Sequence, residues 1–204
     1  GDDDSSDGTR EICTEYVEQY PDLIRLQLHH RENNIHLYER PTHLFQYWYN
    51  TFSARGKYIA VLSGDDYWTD PKKLQKQVSF LETNPDYSLT HHNAVVVDSR
   101  NKVTQERYFA SDCDRSMSER ELVQAPLIVA SSTVFRNMLR SISPHFMSSF
   151  HEDRLITSTL GKYGKGKYYN DVRSAYRKGI SGMWDGSTRE VQLLDKISYL
   201  AIIF

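Results

Sequence analysis

The chain has 204 residues, 25 Lys and Arg against 27 Asp and Glu, and a formal net charge of −2. This length suits one domain whose core needs no disulfide or metal staple, and the near-neutral balance argues against a nucleic-acid surface. Cys13 and Cys113 match no C-x-x-C pattern and make no disulfide framework. No apolar run reaches the length of a membrane span and no leader pattern opens the chain, so the expected compartment is cytoplasmic.

Four of the first eight residues are Asp: Asp2, Asp3, Asp4 and Asp7. After them Thr9 to Tyr20 carries Ile12, Tyr16, Val17 and Tyr20 at helical spacing, with Pro21 behind it. Leu23 to Leu28 alternates apolar and polar residues, as a strand does. His30 to Pro41 is polar and loop-like. His43 to Ser53 is rich in aromatics and predicts a buried helix. Lys57 to Leu62 is a short apolar run that predicts a buried strand of a parallel sheet. It ends in Ser63-Gly64-Asp65-Asp66.

A helix then starts with Asp70 at the N-cap and Pro71 at the first position. Leu74, Val78 and Leu81 form its apolar stripe, and Asn84-Pro85 stops it. Tyr87 to Asp98 contains a strand, and Arg100 to Asp114 is a loop. Leu127 to Phe135 is strand-like, Glu152 to Tyr163 helical and Lys167 to Tyr176 strand-like. Glu190 to Phe204 has helical periodicity. Alternating helices and strands predict an α/β domain, a mostly parallel central sheet with helices on both faces.

Several patterns invite chemistry. Asp3, Ser5, Asp7 and Gly8 begin like a calcium loop, but its twelfth position would be Thr14 where a bidentate Glu is required. Gly161 to Tyr168 has P-loop spacing, yet Tyr168 stands where a magnesium ligand is needed, a helix precedes and a strand follows. Its glycines read as a helix end with turns. The pairs His29-His30 and His91-His92 lie at predicted strand ends, where neighbours face opposite ways and chelate poorly.

Asp65-Asp66 is a stronger candidate. It lies between a strand end and a helix start, where open α/β sheets bind ligands. Paired carboxylates there suit a hard divalent cation shared with substrate phosphates, although Gly-Asp-Asp is also good turn chemistry. Glu152-Asp153 opens a helix. Capping and the helix dipole explain such a pair without any function, and the same position would serve a general base.

Taken together, these segments resemble a known family. Asp2-Asp3-Asp4-Ser5-Ser6-Asp7-Gly8-Thr9 is similar to the D-D-x-S-x-D-G-T signature of the family 2 inverting glycosyltransferases with the GT-A (Rossmann-like) fold. Gly64-Asp65-Asp66-Tyr67-Trp68 followed by Pro71-Lys72-Lys73-Leu74 resembles the family's metal-binding D-x-D segment, and His151-Glu152-Asp153 resembles the motif of the catalytic base. The resemblance implies that Asp3 binds the nucleotide base, uracil, and that Asp65 and Asp66 face the diphosphate and hold Mn2+ or Mg2+, with Asp66 the direct ligand. It implies that Asp153 is the general base. It further implies a UDP-sugar donor, a glycan or lipid-linked acceptor, peripheral membrane contact, and a role in surface-polysaccharide synthesis. Trp68 and Tyr67 could stack on the sugar or pack in the core.

Residues 1–98 would form the nucleotide-sugar part of one domain and 99–204 the acceptor part. Three departures accompany the resemblance. The family's first strand and helix, a unit of about 30 residues, would lie upstream of Asp2. The family's Y-R-x-H-x-G-G-x-W segment reads Tyr176 to Trp184 with Gly179 in place of His, leaving Arg177 or Lys178 to compensate. The Q-x-x-R-W motif of processive synthases is missing, which favours transfer of a single sugar. The competing reading is a non-catalytic module that binds nucleotide-sugar or glycan. A nucleotidyltransferase is disfavoured by the lack of a Gly-rich phosphate loop after a first strand.

Overall fold

The computed structural model describes residues 1–124, 126–139, 148–179 and 187–203. The helices are α1 (Thr9–Gln19), α2 (Leu44–Ser53), α3 (Lys73–Thr83), α4 (Glu119–Val123), α5 (Glu152–Gly161) and α6 (Arg189–Ile203). The strands are β1 (His36–Leu37), β2 (Arg40–Pro41), β3 (Tyr58–Ala60), β4 (Tyr67–Trp68), β5 (Tyr87–Val97), β6 (Val103–Gln105), β7 (Arg115–Met117), β8 (Val134–Arg136) and β9 (Lys165–Arg177).

A seven-stranded sheet runs β3-β8-β5-β9-β4, with β6 on β5 and β7 on β9. Its axis is the long β5/β9 ladder, from Tyr87 opposite Lys165 to Val97 opposite Arg177. Alternation along β5 assigns the two faces. Leu89 points into a core with Leu44 and Trp48 of α2, Leu122 of α4, and Ile156 and Leu160 of α5. Thr90, one residue on, meets Gln77 of α3, whose Nε2 donates to Thr90 Oγ1 at 3.0 Å and to the Ser132 carbonyl at 2.9 Å. Helices therefore cover both faces, as the alternating pattern requires.

The α/β class holds, but the pairing is mixed rather than mostly parallel. Of the named strand pairs only β5/β9 is parallel, joined by an isolated parallel bridge between Asp2 and Leu28. β3 is the main departure. It heads the strand path and pairs antiparallel with β8, with only Ile59 buried, so its apolar run marks one hydrophobic contact and not a central parallel strand. Leu23 to Leu28 forms no strand beyond the bridge at Leu28, and Leu23 is exposed. The alternation there has no sheet face to pack on. The stripe of α1 is likewise uncovered, with Ile12 and Tyr16 exposed. Leu127 to Phe135 gives a strand only at β8, because Ala130–Ser132 winds into a 3-10 turn.

α3 starts two residues later than its capping signals suggest. Asp70 acts through a turn, its Oδ1 accepting from the Lys72 N–H at 2.8 Å. The buried face of α3 is Lys73, Gln77 and Leu81, while Leu74 is exposed. Within the polar stretch 30–41, Tyr38 and Glu39 take φ of 52° and 63° and turn β1 into β2. Such left-handed pairs match the twist of a two-residue hairpin.

The glycines of the P-loop-like segment are packing devices. A Cβ on Gly161 would sit 2.7 Å from Leu122 Cβ and from the Val123 nitrogen, and one on Gly164 would sit 2.7 Å from the Asp86 carbonyl. His91 and His92 are core residues of β5. His91 Nε2 lies 3.2 Å from Met117 Sδ and His92 Nδ1 donates to the Asn93 carbonyl at 2.7 Å. Burial holds both pKa values down, to about 3, so both rings are neutral at physiological pH.

Candidate active site

The acidic opening forms a clamped loop. Asp2 is buried, and its Oδ2 accepts from Arg10 Nε at 2.7 Å and from the Ser5 N–H at 3.3 Å. Burial works against its charge, but the Ser5 and Arg10 bonds prevail and hold its pKa below the usual carboxylate range. Arg10 also donates to the His29 carbonyl at 2.9 Å, and Arg31 donates to the Asp4 carbonyl at 2.8 Å. Asp4 sits at φ 65°, a strain that this clamp maintains. Between these two pinned neighbours Asp3 keeps a buried Oδ1 that accepts no hydrogen bond among the described residues. A carboxylate oxygen buried in this way is suited to an external N–H donor, as a pyrimidine base offers.

His43 precedes α2 and Glu152 opens α5; their side chains meet at 2.7 Å between Nε2 and Oε1. Desolvation pulls the His43 pKa down. The Glu152 charge and hydrogen bond, with the charges of Asp153 and Asp3, outweigh it and hold the pKa above its ordinary value. His43 is thus the point at which Asp3 of the opening loop and Asp153 of α5 share one electrostatic neighbourhood.

Asp153 Oδ1 accepts from the Arg154 N–H at 2.7 Å, and Thr157 Oγ1 donates to the Asp153 carbonyl at 2.8 Å. Burial, reinforced by the adjacent Glu152 charge, pushes the Asp153 pKa up to about 7. Beside it lies a cavity of about 20 Å³ bounded by Tyr47, Ile128, Ala130 and Thr133, among others. That space takes one water-sized group, such as a hydroxyl. A carboxylate with a pKa near neutrality next to it is matched to proton abstraction.

Asp66 completes the arrangement. The turn after β3 is closed by the Asp66 N–H on the Ser63 carbonyl at 3.2 Å. Asp66 Oδ1 then accepts from the Arg177 N–H at 2.8 Å, and the nearby Ser131 side chain favours the Asp66 charge. Ser131 neighbours Ala130 of the cavity wall, so the strand-end carboxylate and the helix-start carboxylate flank one 3-10 turn. Burial raises the Asp66 pKa, and the Asp65 charge adds to it. The Asp65 side chain is exposed, and its contribution to the fold is a carbonyl that accepts from Arg177 Nε at 2.9 Å.

Among the described residues no three His, Cys, Asp or Glu side chains form a self-contained metal cage. A magnesium-like ion that shares substrate phosphates needs only one or two protein carboxylates. Asp66, with raised pKa and Asp65 beside it, fits that role, because a bound cation would relieve its uncompensated charge.

The Arg177 guanidinium is engaged by the Asp65 carbonyl, the Asp98 carbonyl at 2.7 Å and Asn101 Oδ1 at 2.7 Å. It braces the acidic turn and is spent on protein, so it does not replace the His that the family carries at Gly179. Around Gly179 nothing lies within 4 Å of where a Cβ would project. The remainder of that segment, Ile180 to Trp184, lies outside the described residues. Trp68 is a packing residue: its Nε1 donates to the Ser131 carbonyl at 2.9 Å and Lys73 Nζ lies 4.6 Å from its ring centroid. Tyr67 is exposed. His43 and Arg177's bracing role were not anticipated from sequence; only the paired histidines drew attention, and a lone His before an aromatic helix carries no distinguishing pattern.

A model of the family described as glycosyl transferase family 2 matches residues 1–143. The chain belongs to that family. An uncharacterized protein of Mycobacterium tuberculosis is 40% identical over 96 residues, which are 47% of this chain and 25% of that protein. EpsE of Bacillus subtilis, a protein assigned provisionally by its name to the glycosyltransferases, is 35% identical over 97 residues, 48% of this chain and 32% of EpsE. An uncharacterized glycosyltransferase of Methanocaldococcus jannaschii is 28% identical over 89 residues, covering 42% of this chain and 30% of that protein. The match thus spans between a quarter and a third of the relatives' lengths.

Proposed function

We propose that the chain carries the catalytic domain of a metal-dependent inverting glycosyltransferase that moves one sugar from a UDP-sugar to an acceptor hydroxyl. Asp3 accepts from the N–H of the uracil. Asp66, assisted by Asp65, holds Mn2+ or Mg2+ at the diphosphate. When bound, the cation neutralises the leaving diphosphate. Asp153 takes the proton of the acceptor hydroxyl as that oxygen bonds to the anomeric carbon. The bond from that carbon to the diphosphate oxygen breaks on the opposite face, carrying its electron pair away with UDP. The sugar centre passes through positive charge and inverts.

The observation that carries this reading is Asp153 itself, with a pKa near neutrality beside a hydroxyl-sized cavity and in the same charge cluster as Asp3. The division at residue 98 into a donor part and an acceptor part belongs to the same proposal, as does a cytoplasmic location with peripheral membrane contact. Among the described residues no helix is long and apolar enough to cross a membrane.

UDP release is the test, measured with a panel of UDP-sugars and Mn2+. The expected result is slow donor hydrolysis by the wild type that Asp66→Asn and Asp153→Asn both depress. Equal rates for all three proteins across the panel would overturn the reading in favour of a module that binds nucleotide-sugar without turnover.

A further inference from the structure

The cavity of about 20 Å³ beside Asp153 has a second titratable side chain in its wall, Tyr47 of α2. Trp48, next in the chain, turns into the core and is fully buried there. The Tyr47 ring is held edge-on against Trp48 at 5.3 Å and against His43 at 6.0 Å. One helical turn on, Thr51 Oγ1 donates to the Tyr47 carbonyl at 2.8 Å.

The phenol faces two carboxylates. Burial first, and then the charges of Glu152 and Asp153, raise its pKa well above the ordinary 10. The hydroxyl therefore keeps its proton at physiological pH and is a standing donor. Among the described residues no hydrogen bond engages it. A donor that faces carboxylates and bonds neither forgoes a charge-assisted bond, which is the arrangement expected where a further group stands between them.

The rest of the cavity wall offers such a group little. Thr133 Oγ1 donates to the Val129 carbonyl at 3.2 Å and Thr157 Oγ1 to the Asp153 carbonyl at 2.8 Å, so both hydroxyl protons are spent. Ile128, Phe135 and Ile156 are apolar. An oxygen that enters meets one carboxylate to donate to and one hydroxyl with a proton to give. The space admits a single such atom, so the same oxygen answers both.

We propose that Tyr47 and Asp153 grip one oxygen between them, a water in the resting protein and the acceptor hydroxyl in the reaction. The inference rests on Asp153 as the base. The acceptor hydroxyl donates its hydrogen to Asp153 and accepts the Tyr47 hydrogen in one lone pair. Its other lone pair is left to bond the anomeric carbon. As that bond forms, the hydroxyl proton passes to Asp153, the bond to the diphosphate oxygen breaks with its electron pair leaving on UDP, and the Tyr47 proton stays where it is. Tyr47 thus fixes the rotation of the attacking group. It also selects a nucleophile with a spare lone pair, a hydroxyl and not an ammonium.

Tyr47→Phe keeps the ring and removes only the oxygen, and two measurements read its effect. Carbon-13 NMR of the Asp153 carboxyl, assigned with Asp153→Asn, follows the titration without turnover. Its midpoint should lie above the wild-type value of about 7 by about half a pH unit or more, because the bridging oxygen then supports the carboxylate less well. The charges of Glu152, Arg154 and His43 around Asp153 are unchanged between the two proteins. UDP release, with water as the nucleophile and the UDP-sugar that the wild type hydrolyses fastest, should fall about ten- to a hundredfold in kcat. KM for that donor should stay at the wild-type value, since the hydroxyl touches the nucleophile. An unmoved Asp153 titration would overturn the proposal. So would a raised KM, or an unchanged kcat, in a protein whose UDP release depends on Asp153. A titration that moves in a protein whose UDP release is indifferent to Asp153→Asn would sink the catalytic reading and leave the shared oxygen site standing.

Discussion

The imidazole of His43 and the carboxylate of Glu152, 109 positions apart, lie 2.7 Å from each other and tie the start of α2 to the start of α5. Removing the ring leaves Glu152 half-buried beside Asp153 without its cationic neighbour. His43→Phe should cost about 1–3 kcal/mol of stability. The pH dependence follows from the raised His43 pKa. Its contribution is complete below the unfolded value of 6.5 and declines as pH rises through the folded value. Urea titrations of both proteins should therefore show a larger gap at pH 6 than at pH 9; a gap that does not change with pH would mean that the ring serves only to pack.

Asp153 makes the opposite trade. Its folded pKa is raised from 3.8 to about 7, so ionising it in the folded protein costs stability as pH rises through that window. Asp153→Asn should be more stable than wild type at pH 8 by about 1–3 kcal/mol and slower in sugar transfer by about 10²- to 10⁴-fold. The wild-type rate should climb with pH through about 7. Glu152→Gln removes a like charge and should move that limb to lower pH. Denaturation curves and pH–rate profiles read all four outcomes.

The two carboxylates of the acidic turn should not be equivalent. Asp66 is partly buried and held by Arg177, whereas the Asp65 side chain is exposed. Chelation with EDTA should abolish transfer and added Mn2+ restore it. Asp66→Asn should raise the Mn2+ concentration needed by about tenfold or more, and Asp65→Asn by clearly less. A Mn2+ titration of activity in the two variants checks the order.

Lys73 is wholly buried over the Trp68 ring, and desolvation lowers its pKa from 10.5 to about 7. The unfolded chain therefore holds a proton there between about pH 7 and 10.5 that the folded chain does not, and stability rises with pH across that window. Lys73→Met keeps the length of the stem and removes the charge. It should stabilise the protein by about 1–3 kcal/mol at pH 7, and the gain should shrink towards pH 10. Thermal melts at the two pH values decide it.

The order of helices and strands was legible in the sequence because amphipathic spacing reports burial. It failed where burial was polar or missing. α3 buries Lys73 and Gln77 beside Leu81 and leaves Leu74 exposed, since Gln77 bonds Thr90 and Ser132 across elements that no local pattern connects. β3 reads as a central strand, but a run of three residues cannot disclose its neighbours. At the site, Asp3, Asp66 and Asp153 were named from their motifs, while their common surroundings were not. His43, Ser131 and Arg177 reach them from distant parts of the chain, and such convergence leaves no trace in spacing.

The β5/β9 ladder bears on how the protein comes to exist in the cell. Its partners are separated by nearly eighty positions, and the β9 end braces the acidic turn through Arg177. During synthesis at about 5–20 residues per second, β5 waits several seconds for its central neighbour to emerge. Until then β5 carries an unpaired edge, which is a template for wrong strand pairing. Nascent chains of this protein are thus vulnerable for that interval, and slow synonymous codons placed between β5 and β9 should lower the yield of active protein without changing a single residue.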